Sequence, residues 1–185
     1  MNDYQFKTKP FKHQLTTLNI AADKKNYAFF MEMGTGKSKV LIDNIAILYL
    51  KKKINAALII APKGVYRNWM NQELPKHMPD NIDCNIVCWT PTPNKQQKEQ
   101  LEGLKVFTEK LNIFLMNVEA LSTIKGYEAA FNFVKNHRTL VAVDESTTIK
   151  SPTASRTKSA IKLGINAAYR RILTGSPVTK SPLDL

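Results

Sequence analysis

Two short runs of residues could do phosphate chemistry if the fold brings them together. The first is Met33-Gly34-Thr35-Gly36-Lys37-Ser38. Gly34 and Gly36 let the backbone curl so that several N–H groups face one anion. Lys37 can then reach the β- and γ-phosphates, and the Ser38 hydroxyl can ligate Mg²⁺. The second run is Asp144-Glu145, which closes the apolar stretch Leu140-Val141-Ala142-Val143. In this position Asp144 would hold Mg²⁺ through water, opposite Ser38, and Glu145 would orient and deprotonate an attacking water. An Asp-Glu pair after a strand also serves as a turn or helix cap; the upstream glycine loop is what favours the catalytic reading. Together the two runs predict binding and hydrolysis of a nucleoside triphosphate, with ATP and Mg²⁺ as cofactors. The loop departs from the strict G-x-x-x-x-G-K-[ST] pattern, because Met31 stands where its first glycine belongs.

Such residues work only if a strand delivers the glycine turn and a helix leaves it. Tyr27–Met31 reads as that strand, and Leu41, Ile45 and Leu48 give the following helix one apolar stripe. Further strands are expected at Ala57–Ala61, Asn85–Trp89, Ile113–Met116, Leu140–Val143 and Arg171–Leu173. The runs Ala57–Ile60 and Leu140–Val143 lack in/out alternation, as strands buried on both faces do. Tyr66, Met70 and Leu74 mark a second helical stripe, and further helices are expected over Lys95–Lys110 and Tyr127–Asn136. Ser151-Pro152 reads as an N-cap with proline in the first turn of a helix reaching Leu163. Strands alternating with helices predict an α/β fold, a parallel central sheet with helices on both faces.

A chain of 185 residues suits a single domain over residues 1–185. Its apolar runs, such as Ile45–Leu50, are too short to span a bilayer, and its polar start has no signal-peptide core. Cys84 and Cys88 are too few for a disulfide framework or a zinc site and read as reduced, packed thiols. The expected location is cytoplasmic or nucleoid/nuclear, with no membrane partner. The formal charge of +12 is unevenly spread. Residues 1–60 carry ten Lys/Arg against four acids and residues 135–185 nine against three, while residues 61–134 are balanced at eight each. Both basic thirds hold the motifs above, as contact with a polyanion would require, although a solvated basic surface accounts for the charge as well.

The smaller motifs identify a family. The chain resembles the N-terminal RecA-like, P-loop NTPase lobe of superfamily 2 helicases, specifically the Swi/Snf-like translocases, from about Phe11 to Leu185. Pro10-Phe11-Lys12-His13-Gln14 matches the family's upstream stretch, which implies that Gln14 reads adenine. Met33-Gly34-Thr35-Gly36-Lys37-Ser38 matches its nucleotide loop. Ala61-Pro62-Lys63 with Asn68-Trp69 is similar to a segment that touches the nucleic-acid backbone, implying that role for Pro62 and Lys63. Trp69 itself reads as core packing rather than a stacking platform. Asp144-Glu145-Ser146-Thr147-Thr148-Ile149-Lys150 resembles the Asp-Glu-x-His-x-x-Lys box, with threonine at the histidine position and Lys150 as a further nucleic-acid contact. Arg170-Arg171-Ile172-Leu173-Thr174-Gly175-Ser176-Pro177 resembles the box that couples the two sites, implying that role for Thr174, Gly175 and Ser176.

The resemblance implies a parallel sheet in which the strand leading to Thr174 lies between the phosphate-loop strand and the Asp144 strand. It also implies a nucleic-acid partner, duplex DNA in the first instance. No second RecA-like lobe is legible in these residues, so the chain is expected to be the first lobe of a two-lobed motor. On its own it should bind nucleotide weakly and hydrolyse it poorly. Two other readings stay open: a strand-separating DNA or RNA helicase lobe, and a non-catalytic ATP- or DNA-binding regulatory module. A P-loop kinase or GTPase is disfavoured, because no guanine-reading Asn-Lys-x-Asp is present.

Overall fold

The computed structural model describes residues 4–106, 108–149 and 151–175. Along the chain come α1 (Lys12–Ala21), β1 (Asn26–Phe30), α2 (Lys37–Leu50), β2 (Ala56–Ala61) and α3 (Tyr66–Asn68). A π-helical turn (Trp69–Glu73), α4 (Leu74–His77), β3 (Cys84–Cys88), α5 (Lys95–Gly103) and β4 (Leu111–Asn117) follow. After a 3-10 turn (Val118–Ser122) come α6 (Ile124–Asn136), β5 (Thr139–Asp144), a second 3-10 turn (Ser146–Ile149), α7 (Ser155–Asn166) and β6 (Tyr169–Thr174). The strands form one sheet in the order β1-β6-β5-β2-β4-β3, and every pairing is parallel. No helix among the described residues is long and apolar enough to cross a membrane.

Side chains alternate between two cores. Ala57, Ile59 and Ala61 of β2 and Leu140 and Ala142 of β5 join α1, α2 and the helical segment at Tyr66–Leu74 on one face. Their neighbours Ala56, Leu58, Ile60, Val141 and Val143 join α6 and α7 on the other. Every residue of β2 is therefore fully buried, and the absence of polar alternation in its sequence follows from cover on both sides.

Adjacent arginines on β6 use the same alternation to hold one helix on each face. Arg170 donates to the carbonyls of Gly164 and Ile165 at the end of α7, and to Asn26 Oδ1. Arg171, 1% exposed, donates to Ala21 O at the end of α1 (3.1 Å), to Asn44 Oδ1 of α2 (2.8 Å) and to Lys25 O. Helix C-termini carry partial negative charge, so each guanidinium meets a helix end that favours a cation. Burial lowers the Arg171 pKa to about 10.

Four expectations are corrected. Residues Lys39 through Leu48 of α2 are all buried, so this helix has no solvent face. Its polar members are paired: Lys39 with Asp43 (2.7 Å), Asp43 with the Tyr4 hydroxyl (2.8 Å), and Asn44 with Ala22 O and Arg171. The helix expected over Lys95–Lys110 ends at Gly103, and the chain must turn before β4 opens at Leu111. Ser151 does not cap α7: its hydroxyl meets Thr153 Oγ1, residues 151–154 turn, and the helix starts at Ser155 and runs past Leu163 to Asn166. In the stripe Tyr66, Met70, Leu74, it is Trp69 that is buried and Met70 that is 39% exposed, because a π turn intervenes.

Candidate functional site

In a parallel sheet all strand C-termini lie along one edge, and the residues read as functional from sequence, Gln14 of α1 apart, follow four of them. Met31 to Ser38 follow β1, Pro62 and Lys63 follow β2, Asp144-Glu145 closes β5, and Thr174-Gly175 closes β6. These four strands are contiguous in the sheet. In register, Phe30 pairs with Thr174 and Leu173 pairs with Asp144.

The glycine loop is built as an anion cradle. Gly34 and Gly36 take left-handed φ of 78° and 82°, a conformation that strains any residue with a Cβ. Gly36 is also the N-cap of α2, with no side-chain cap and no acidic residue in the first turn. The start of α2 thus presents its amide groups and positive dipole end without a competing protein anion. Lys37 Nζ donates to Met31 O (3.0 Å) and Glu32 O (3.2 Å), folding its ammonium back over the loop. Gly175 closes the far side: a Cβ there would stand 3.3 Å from Met33 N and 3.6 Å from Lys37 Nζ.

Gln14 is 4% exposed and occupied at both ends of its amide. Its Oε1 accepts from Phe11 N (3.0 Å) and its Nε2 donates to Thr35 O (2.9 Å), a carbonyl that also accepts from His13 (3.0 Å). A Cβ on Gly36 would run into Gln14 Nε2. The start of α1 is therefore clamped to the cradle by two side chains, of which His13 was not singled out from sequence. The Phe11 ring, 67% exposed, stacks on His13 with centroids 5.8 Å apart.

Asp144 is 8% exposed, and burial pushes its pKa up. The Trp69 indole opposes that shift by donating to Oδ2 (3.1 Å), Glu145 adds repulsion, and the Glu145 N–H (3.0 Å to Oδ1) and the Lys37 charge pull the pKa back down. Glu145 has a left-handed φ of 49°, held by Thr148, whose N–H and hydroxyl both donate to Glu145 O at 3.0 Å. Backbone strain of this kind costs roughly 1–3 kcal/mol and clusters at functional sites. The oxygen donors offered, Ser38 Oγ and the Asp144 carboxylate, suit Mg²⁺, which takes one or two protein ligands and completes its shell with phosphate and water. No group of three or more His, Cys, Asp or Glu side chains among the described residues could hold a metal without such help. The donor set and the cradle thus fit a Mg²⁺–triphosphate pair.

Pro62 is half-buried and Lys63 exposed. The Pro62 carbonyl accepts from Val65 N (2.8 Å) and Tyr66 N (3.1 Å), so the strand end itself starts the helical segment carrying Trp69. Thr147 is half-buried in the 3-10 turn, which packs against β6. Lys150 and Ser176 lie outside the described residues. Trp69 is core, as read from sequence, but its bond to a carboxylate 75 residues away carries no local signal.

Comparison with known proteins agrees with this architecture. The chain is 25% identical over 154 residues to protein CHROMATIN REMODELING 24 of Arabidopsis thaliana. It is 31% identical over 156 residues to the DNA annealing helicase and endonuclease ZRANB3 of Mus musculus. Both alignments cover 83% of this chain but only 14% and 13% of those proteins. Among solved structures, the Sulfolobus solfataricus SWI2/SNF2 ATPase core in complex with dsDNA matches with a TM-score of 0.72 at 19% identity, over 100% of this chain and 35% of that one. The UvsW helicase of bacteriophage T4 matches with a TM-score of 0.62 at 15% identity, over 91% and 53%. These likenesses establish the RecA-like α/β fold. The SNF2-related domain model matches residues 13–185, nearly all of the sequence, and the chain belongs to that family.

Proposed function

We propose that this chain is the ATP-binding lobe of an ATP-driven motor that moves on duplex DNA, with hydrolysis completed by a second RecA-like lobe. The observation that carries this reading is the shared edge of β1, β6, β5 and β2, where a phosphate cradle, a carboxylate pair and a basic strand end adjoin. Membership of the SNF2-related family supports an ATP-hydrolysing, DNA-directed domain. The solved SWI2/SNF2 core was captured with duplex DNA, which supports that polymer here.

In this reading the amides of Gly34 to Ser38 and the Lys37 ammonium bind the β- and γ-phosphates, and Gln14 couples adenine recognition to the loop through Thr35. Ser38 and Asp144 would hold Mg²⁺, which when bound neutralises phosphate charge and fixes the orientation of the γ-phosphoryl group. Glu145 takes a proton from the attacking water. Thr174 and Gly175, with Ser176, relay the state of the γ-phosphate to the DNA-contacting strand ends, including Pro62 and Lys63, and to Lys150. Transition-state charge is completed from the second lobe, since an arginine donor is worth roughly 10³–10⁵ in rate in phosphoryl transfer.

The test is ATPase activity of the longest natural chain with duplex DNA, single-stranded DNA and RNA compared as stimulants. Duplex DNA should stimulate most, with no displacement of a labelled strand. Stimulation by single strands with strand displacement would replace this reading by a strand-separating helicase. Nucleotide binding without turnover on any polymer would leave a regulatory module.

A further inference from the structure

The segment after Pro62 is helical but broken in a specific way. Leu74 N–H bonds to Trp69 O, five residues back, inserting one π turn between α3 and α4. In a continuous α-helix Glu73 would follow Trp69 around to the same face. The extra residue puts Leu74 there instead, and Trp69 and Leu74 are each 1% exposed. Single π turns are rare and often mark functional positions. Here the turn lets a helix anchored by Leu74 point the Trp69 indole at the end of β5.

That indole meets Asp144. Nε1–H, which can only donate, lies 3.1 Å from Oδ2, while Oδ1 accepts from Glu145 N at 3.0 Å. Each oxygen thus has one fixed protein donor, and both donors set the plane of the carboxylate. The indole's own backbone belongs to the segment that begins on the Pro62 carbonyl. One hydrogen bond therefore ties the strand end read as a DNA contact to the carboxylate read as a metal ligand. Trp89, the other tryptophan, has a buried Nε1 with no partner among the described residues, so a paired indole is not a general feature of this core.

We propose that Trp69 is a positioning residue: it holds the Asp144 carboxylate in its metal-binding orientation and transmits DNA contact at Pro62-Lys63 to the Mg²⁺–nucleotide site. This inference rests on the function proposed above. Because linkage is reciprocal, duplex DNA tightens Mg²⁺–nucleotide binding through Trp69, and Mg²⁺–nucleotide tightens duplex binding by the same factor. Removal of the indole N–H weakens both effects without touching nucleotide contacts made by the glycine loop.

The experiment titrates a fluorescent non-hydrolysable ATP analogue into the wild-type chain and Trp69→Phe, in EDTA, in Mg²⁺, and in Mg²⁺ with duplex DNA. Phenylalanine keeps an aromatic ring in the core but loses the donor together with part of the indole's volume. Affinity in EDTA should match wild type within about twofold. A hydrogen bond to a charged group is worth about a tenfold factor, so the gain on adding Mg²⁺ should shrink by about that much, and the further gain on adding duplex should vanish. An unchanged Mg²⁺ gain together with an unchanged duplex gain would make Trp69 a packing residue and overturn the proposal. If the wild type itself shows no Mg²⁺-dependent binding, the nucleotide-site reading falls and this inference falls with it. Should Trp69→Phe fail to fold, the indole N–H signals of ¹⁵N-labelled wild-type chain decide, with Trp89 identified by Trp89→Phe. The Trp69 signal should move on adding Mg²⁺–analogue and, separately, duplex DNA, while the Trp89 signal stays. A Trp69 signal indifferent to both would overturn the proposal.

Discussion

Glu145 holds its left-handed backbone because three bonds surround it: its own N–H to Asp144 Oδ1, and the Thr148 N–H and hydroxyl to its carbonyl. Its side chain is half-exposed, so water can reach the carboxylate. In a protein carrying both lobes, Glu145→Gln should keep ATP affinity and remove turnover, because the amide retains the shape and loses the base. Turnover within about threefold of wild type would assign the base elsewhere. His77 offers a second test at this scale. Burial, with the charges of Lys39 and Lys76, lowers its pKa from 6.5 to about 4, and its Nδ1 pairs with Thr8 Oγ1 at 2.7 Å. Glu73, 3.9 Å from Nε2, favours the charged ring. The unfolded chain therefore takes up this proton first, and the stability present above pH 6.5 is lost as pH falls toward about 4. Asp43 and Asp144, both pushed up by burial, act with the opposite sign, so the comparison must be made against a variant. Thermal melts should show His77→Gln losing less stability than wild type between pH 6.5 and about 4.

Helix α6 shows how tightly an element can depend on one missing atom. Thr123 caps it, its Oγ1 accepting from Gly126 N at 3.1 Å, and the preceding 3-10 turn is drawn against the first helical turn. A Cβ on Gly126 would run into Ala120 O and stand 2.8 Å from Ala120 C, both backbone atoms that cannot swing aside. Propensity alone would reward Gly126→Ala by about 1 kcal/mol. Overpacking against backbone should cost about 1–3 kcal/mol and also disturb the cap, so the net change is a loss. Urea denaturation should give a lower midpoint with an unchanged slope; a raised midpoint would show that the 3-10 turn yields easily. The same logic of fixed neighbours explains β6, where Arg170 and Arg171 each hold a helix end on opposite faces of one strand.

At the level of the whole molecule, the two arginines of β6 are committed inward. Arg171 is buried between α1, α2 and the sheet, and Arg170 binds the end of α7. Neither side chain can turn to a phosphate in a neighbouring molecule without releasing a helix, which removes Arg171 as a donor between copies of this chain. The 185 residues alone should accordingly bind nucleotide and turn it over negligibly, gaining activity only when a second RecA-like lobe is supplied. Steady-state phosphate release with and without duplex DNA checks this. DNA-stimulated turnover above about 1 s⁻¹, near the low end of typical enzyme rates, would show the lobe to be self-sufficient.

The residues themselves determined the class of fold and the outline of the candidate site. Uninterrupted apolar runs such as Ala57–Ile60 mark strands covered on both faces, and six strands spaced by helical segments leave little but a parallel α/β sheet. Gly-Thr-Gly-Lys-Ser after a strand is legible because its chemistry is local: backbone curl, helix start and ammonium all lie within one turn of chain. The tertiary structure decided whatever depended on a choice among local alternatives. Ser151 could cap a helix, but its hydroxyl met Thr153 and the helix began at Ser155. The stripe through Met70 fitted an α-helix, but packing admitted Trp69 and Leu74 together only with a π turn. The Trp69–Asp144 and Arg171–Ala21 bonds span 75 and 150 positions. Nothing in the spacing of residues encodes such a partner; the sheet order and the two layers of helices bring it within reach.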